Sequence, residues 1–437
     1  MPELLSTTAM PPGTPLLPSG SGEAPIRIRY MGNKHQLADD VSGIVSEFPI
    51  ERPFLDIFCG MCSVGAAIAP SERAVWGNDV QWAATTVARC LLTTSSDRLE
   101  SEALANTLVG DYQRNFEALQ GRFRAAMARE RQLLERPEIE AFAAEHARWR
   151  HAGNSPSRRR EVSALAQRPE PPHRLVTLTF AWGYFGLRQA AQIDSIRFAI
   201  DRARARRALT ADEARVALLA LMQAASCVAS TPGHFAQYLG ARTPSGLVRV
   251  VSQRRRDVWD QFLSEAELIS PLGTREWRSR NQVMRRDALR IWPELRRRGF
   301  RNGVVYADPP YSKDHYSRYY HVLDTLVRYD YPQAIGKGRY RPDRFVTPFS
   351  LMTKVASSFD RLARGVASTG SALILSYPSN GLLAQHEDVD LAALLRRHFR
   401  TVTLAIQKPS VHSTLGARHG EHTREVEELI YVAHPAT

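Results

Sequence analysis

Short apolar runs separated by glycine-containing turns open the patterned part of the chain, and the period then changes twice. From about Ile26 to Leu92 these runs alternate with helical patterns. Pro53-Phe54-Leu55-Asp56-Ile57-Phe58 is a buried-strand candidate, Ala74-Val75-Trp76-Gly77-Asn78 a second, and Gln81 to Leu92 a helix that follows it. Strand–turn–helix alternation of this kind predicts a parallel sheet. From about Glu100 to Arg280 long Ala/Arg/Glu/Leu-rich helical segments take over, clearest at Ala103 to Leu134 and Ala211 to Cys227. Asn154-Ser155-Pro156-Ser157 and Pro169-Glu170-Pro171-Pro172 break them. From Asn302 strands return, at Gly303 to Ala307, Ser371 to Ser376, Thr401 to Ile406 and Glu428 to Val432. The pattern therefore predicts one α/β domain interrupted by a mostly helical insertion.

Composition narrows this picture. The 437 residues suffice for one large α/β domain with an insertion, or for two domains. No stretch approaches the roughly eighteen consecutive apolar residues of a membrane helix. Met1 to Gly22 carries Pro, Ser, Gly and Thr without a basic residue, so residues 1–24 read as a disordered tail and not as a secretory signal. Cys59 and Cys62 form a C-x-x-C, but no second pair or histidine cluster at zinc spacing joins them. Buried structural roles, no metal site and a reducing cytoplasm are the expectation. The net charge of +13 makes a polyanion a plausible partner. Asp111 to Arg280 holds 28 Arg and no Lys against 18 acids, so ten of those charges lie in the insertion. Arginine forks suit phosphates and guanine edges. The triplets Arg158-Arg159-Arg160 and Arg254-Arg255-Arg256 are candidate DNA contacts, against the alternative of solvated helix faces.

The sharpest chemical signal is Asp308-Pro309-Pro310-Tyr311, directly after the apolar run Val304 to Ala307. The prolines end the strand and stiffen the loop at its carboxyl end, where ligands of open α/β sheets sit. An exocyclic adenine amine is a poor nucleophile because its lone pair is delocalised into the ring. The Asp308 carboxylate and the Pro309 carbonyl could accept its hydrogens and favour the form with an available lone pair. Tyr311 could stack on a base swung out of a duplex. A second signal is Asp56 to Gly65, a strand running into a small-residue turn, where Gly60 permits close backbone approach to a ligand and a helix start favours an anionic group. Asp79 comes about twenty residues beyond that turn, where an acid reads ribose hydroxyls in Rossmann-like sheets. Fourth, Arg29-Tyr30-Met31-Gly32-Asn33-Lys34 precedes the first strand.

These four, in this order, resemble the class α N6-adenine DNA methyltransferases, the Dam-like family. Tyr30 to Lys34 is similar to the family's N-terminal motif, Asp56 to Val64 to its glycine loop, and Asp308 to Tyr311 to its catalytic D-P-P-Y. The resemblance implies a Rossmann-like S-adenosylmethionine-dependent methyltransferase sheet, formed by residues 25–100 and 281–437. A mostly helical target-recognition domain, 101–280, would be inserted before the catalytic strand. It also implies that Tyr30, Gly32, Lys34, Asp56, Phe58, Gly60, Asp79, Asp287 and Asp308 line the S-adenosylmethionine site. Asp308, Pro309, Pro310 and Tyr311 would be catalytic, and Arg424 to Val432 the last strand. The expected substrate is adenine N6 in double-stranded DNA, in a restriction-modification or related defence or epigenetic role, with a cognate restriction or defence partner possible. The family's F-x-G-x-G has Cys62 in place of its second glycine here. Two rivals remain: methyl transfer to another amino group (RNA or cytosine N4), and a DNA-binding protein on an inactive methyltransferase fold. Trp182 to Gly186 and Gly233 to Tyr238 read as ordered loops whose aromatics either pack in the core or stack on bases.

Overall fold

The structure is a computed structural model that describes residues 26–28, 35–386, 389–413 and 423–435. Its strands are β1 (Phe54–Asp56), β2 (Val75–Asp79), β3 (Gln282–Arg285), β4 (Val304–Ala307), β5 (Ala372–Pro378), β6 (Thr401–Ser413) and β7 (Thr423–His434). They form one seven-stranded sheet in the order β3-β2-β1-β4-β5-β7-β6. β1 to β5 run parallel, with Phe54 opposite both Val75 and Val304 and Val304 opposite Ala372. β7 enters antiparallel between β5 and β6, closing the sheet with a hairpin. The chain moves outward from β1 to β2 and β3, then returns to place β4 on the other side of β1. That reversal opens a crevice beyond the carboxyl ends of β1 and β4, the usual ligand position in such sheets.

Side chains alternate between the two faces, as a pleated strand requires. Phe54, Val304, Tyr306, Ala372 and Ile374 enter one buried cluster, while Leu55, Val305, Ala307, Leu373 and Leu375 enter another. Burial on both faces explains why these strands read as continuous apolar runs. The helices before the insertion are α1 (His35–Ser46), α2 (Ser63–Ile68) and α3 (Trp82–Leu92). Within it lie α4 (Ser101–Arg122), α5 (Arg124–Glu135), α6 (Ile139–Asn154), α7 (Pro156–Ala166), α8 (Leu175–Thr179), α9 (Leu187–Ala205), α10 (Ala211–Val228), α11 (Pro244–Arg254) and α12 (Val258–Leu268). α13 (Arg275–Arg280) closes it, and after it come α14 (Trp292–Arg297), α15 (His321–Arg328), α16 (Val355–Ala367) and α17 (Leu391–Arg396).

The helical stretch expected at Ala103 to Leu134 is two helices, α4 and α5, parted at Phe123 (φ −110°, ψ 21°). The break at Asn154 to Ser157 holds: Ser155 caps α7, its hydroxyl accepting from the Arg158 N–H at 3.2 Å, and Pro156 takes the first helical position. Thr210 and Glu213 start α10 with a reciprocal capping box. The insertion has two layers. Leu104, Leu108, Val216, Ala220 and Phe262 share the cluster of Phe54 and Val304, so the inner layer packs on the sheet. Leu119, Phe142, Trp182, Leu187 and Val250 form a smaller core of their own farther out. No helix among the described residues is long and apolar enough to cross a membrane.

Candidate active site

The crevice beyond the strands holds a pocket. Ile57 and Phe58 leave β1, Asn78, Asp79, Val80 and Gln81 leave β2, Arg286, Asp287 and Ala288 leave β3, and Asp308 and Pro310 leave β4. Tyr316 and Phe345 to Phe349 supply the remaining wall. Five sequence-predicted site residues, Phe58, Asp79, Asp287, Asp308 and Pro310, thus converge from four strands on one cavity. Asp287 accepts from the Leu289 N–H at 2.9 Å and keeps 46% of its side chain exposed, as a ligand-facing acid requires.

Asp79 links the two halves of the cofactor-binding expectation. Its Oδ1 accepts from the Gln81 N–H at 2.9 Å and its Oδ2 from the Gly60 N–H at 3.1 Å, so it holds both the start of α3 and the turn after β1. Gly60 has φ 47° there, which glycine adopts at little cost. Cys62 has φ 65° and ψ 25°, the left-handed conformation suited to the glycine that the family pattern places there. A side chain in that region costs about 1 kcal/mol. Gly65 makes the room, since a Cβ on it would lie 2.8 Å from Cys62 Sγ. The loop therefore keeps glycine-loop geometry with a thiol folded inward. Burial, reinforced by the charges of Asp79 and Asp56 at Cys59 and of Asp56 at Cys62, pushes both thiols far up and keeps them protonated. No group of three metal-ligating side chains occurs among the described residues.

Asp56 departs from its expected place. Only 3% exposed, it accepts from the Phe58 N–H at 3.2 Å and sits beneath the turn, not in the pocket wall. Its charge, after burial, raises the Tyr306 phenol on the neighbouring strand. In the loop after β4, Pro309 is buried while Asp308, Pro310 and Tyr311 are half-buried. The Tyr311 carbonyl accepts from the Leu382 N–H at 2.8 Å, and its hydroxyl is hydrogen-bonded with Tyr316. Burial raises the Tyr311 phenol.

Two further residues of the pocket, and one outside its wall that braces it, escape the sequence reading. Gln81 is 4% exposed, lines the pocket, and leaves its buried Oε1 without a protein hydrogen bond. Asn78, fully buried, donates to the carbonyls of Ile57 and Arg286 at 3.0 and 3.1 Å and accepts from the Arg286 N–H at 3.1 Å, tying the ends of β1 and β3 across β2. Asp324 on α15 accepts from the Ala83 N–H at 2.8 Å, binding the helix after the β4 loop to the helix after Asp79. An acid at the end of a strand carries a recognisable spacing signal, whereas a staple reaching across more than two hundred residues leaves none.

Tyr30, Gly32 and Lys34 lie outside the described residues. Of the arginine triplets, Arg159, Arg160, Arg255 and Arg256 are exposed, and Arg158 is largely covered, with its guanidinium on the Leu178 carbonyl at 3.1 Å. Arg254 contradicts its expected DNA role. It is 6% exposed, its guanidinium lies 4.5 Å from the Trp182 ring centroid and bonds the Trp182 carbonyl, and its charge faces Glu130, which is also buried. The aromatic loops are core: Tyr184 and Phe235 are buried, the Phe235 N–H donates to the Tyr319 carbonyl at 2.9 Å, and His321 Nε2 donates to the Phe235 carbonyl at 3.0 Å. They join the insertion to the segment that follows Tyr311.

Residues 30–144 match the model of the D12 class N6 adenine-specific DNA methyltransferase family. The chain is 24% identical over 251 residues to the type II methyltransferase M.FokI of Planomicrobium okeanokoites, covering 57% of this chain and 34% of that protein. It is 22% identical over 375 residues to the modification methylase LlaI of Lactococcus lactis subsp. lactis, covering 84% of this chain and 48% of that one. With the type II methyltransferase M.CviAII of Paramecium bursaria Chlorella virus 1 it shares 26% over 261 residues, covering 59% and 68%. The chain thus spans between a third and a half of the first two relatives. No solved structure matches it significantly. The family match and the relatives point the same way: over residues 30–144 the chain is similar to the D12 class N6 adenine-specific DNA methyltransferases, and beyond them to type II and modification methylases.

Proposed function

We propose that the chain transfers a methyl group from S-adenosylmethionine to N6 of an adenine in double-stranded DNA, as part of a restriction-modification or related system. The observation that carries this reading is the convergence of Asp79, Asp287 and Asp308 on one pocket at the sheet's switch point. The residues fit the cofactor. Asp79 offers a carboxylate and Gln81 an unused buried acceptor for ribose hydroxyls, Phe58 an apolar wall, and Asp287 an acceptor at the far end. The cofactor supplies an electrophilic methyl group. The Asp308 carboxylate and Pro309 carbonyl accept the hydrogens of the target amine, which frees its lone pair and aims it. Tyr311, braced by Tyr316, offers a face to an extruded base. The insertion, with its arginine surplus, carries the DNA footprint.

The test is to incubate the protein with plasmid DNA and S-adenosylmethionine, then map modified bases by single-molecule sequencing. N6-methyladenine in one recurring context is expected. Methylated cytosine, or cofactor binding without DNA modification, would replace this reading with one of its rivals.

A further inference from the structure

Ser317 and Arg318 follow pocket-lining Tyr316, and Arg344 precedes pocket-lining Phe345. The two arginines meet over one ring: Arg344 lies 4.6 Å and Arg318 5.5 Å from the centroid of Tyr340. Arg318 donates to the Tyr340 hydroxyl at 3.4 Å, Arg344 reaches the Ser317 hydroxyl at 3.5 Å, and Tyr340 itself is anchored on the Ala236 carbonyl. Neither guanidinium forms an ion pair among the described residues. Close by, Arg341 and Arg328 are each held by both Asp330 and Asp343. Arg341 and Arg328 are thus neutralised, whereas Arg318 and Arg344 share the Tyr340 ring, and neighbouring Arg285 lies over Trp82 at 3.9 Å. Arg344 also keeps a buried Nε without a partner. The Tyr340 hydroxyl, with the more distant Asp314 carboxylate, raises Arg318, whereas burial and then the charge of Arg318 depress Arg344. The ring attracts both guanidinium groups but leaves their mutual repulsion for an anion to relieve, and two guanidinium forks suit a phosphodiester.

We propose that Arg318 and Arg344, set over Tyr340 at the rim of the catalytic pocket, grip a backbone phosphate of the DNA strand that presents its base to Asp308. This rests on the methyltransferase reading above. Phosphate contacts position a duplex without reading its sequence, so a short mixed-sequence duplex is a sufficient probe.

The experiment measures duplex affinity against salt for wild type, R318Q, R344Q, R318Q/R344Q, R344K and R318K, with thermal melting and S-adenosylmethionine affinity alongside. R318Q/R344Q together should lower the salt slope by about one unit and each single Gln variant by part of that, while R344K should keep most of it, with cofactor affinity unchanged in all. If the Gln variants do not fold, the Lys variants decide: each keeps the charge but loses the fork, so duplex binding should weaken at near-wild-type slope. Wild-type slopes in folded Gln variants, or wild-type affinity in both Lys variants, overturn the proposal and leave the pair as ring packing. A wild-type protein that methylates DNA while the variants keep its slope overturns the clamp alone. One that binds no duplex overturns the clamp and the methyltransferase reading together.

Discussion

The backbone N–H of Gly60 donates to Oδ2 of Asp79 at 3.1 Å, so the turn after the first strand is held by the acid that ends the second. The same carboxylate caps Gln81, and one side chain fixes two edges of the pocket. Removing a charged acceptor of this kind costs about 1.5–3 kcal/mol. D79A should therefore weaken S-adenosylmethionine binding by roughly ten- to a hundredfold in calorimetry, while duplex affinity changes by no more than a few-fold. Equal losses for both ligands would indicate a general collapse of the loop.

Asp308 offers the second outcome. D308A should lower the rate of methyl transfer by about a hundredfold or more, because the reacting amine no longer meets a preorganised acceptor. Duplex and cofactor affinities should persist. Turnover within a few-fold of wild type would exclude an acceptor role for the carboxylate.

The parts legible in the sequence are those with a local signal. β4 and β5 announce themselves because burial on both faces leaves an uninterrupted apolar run, and Asp308 to Tyr311 because two prolines end such a run. β3 gives no such sign: Gln282–Arg285 is an edge strand with a single buried side chain, Met284, so no apolar pattern marks it. Asp287 is legible through its position before the catalytic strand, whereas Gln81 looks like an ordinary helix entry. The misplacement of Arg254 on the DNA face has a physical reason as well. Consecutive arginines point around a helix, and composition does not tell which one turns inward onto Trp182.

Asp324 makes a pH dependence. Burial, followed by the nearby charge of Asp79 and offset in part by the Ala83 N–H, raises its carboxyl to about 6. The folded state then binds the proton more tightly than the unfolded chain, whose aspartates titrate near 4. This group's contribution to stability is fully present below the unfolded value and is lost as pH rises through about 6. D324N keeps an acceptor for the Ala83 N–H but cannot ionise. Its melting temperature should gain on wild type as pH goes from about 5 to about 7.5, by roughly 1.5 kcal/mol in stability. A difference between the two proteins that stays constant across this range would mean that Asp324 does not titrate there.

The arginine triplets separate charge that holds the fold from charge that meets DNA. Arg254 is enclosed between the rings of Trp182 and Phe142 and supplies the buried Glu130 with a counter-charge, while Glu130 also accepts from the N–H groups of Leu187 and Arg188 at the start of α9. R254A removes the cation–π interaction and leaves Glu130 with its backbone donors and the weaker charge of Arg188, at a cost of roughly 2–4 kcal/mol. Arg159 and Arg160 are exposed on α7, and replacing both by Ala should change stability by less than about 0.5 kcal/mol. If they bind phosphates, the same replacement lowers the salt slope of duplex binding by about one unit for each phosphate that is no longer neutralised. The two measurements should therefore split in opposite directions: melting moves with R254A, and salt dependence with R159A/R160A. A salt slope that falls with R254A in a protein of unchanged melting temperature would place Arg254 on the DNA after all. A slope untouched by R159A/R160A would assign that pair to solvated surface and shift the footprint to other arginines of the insertion.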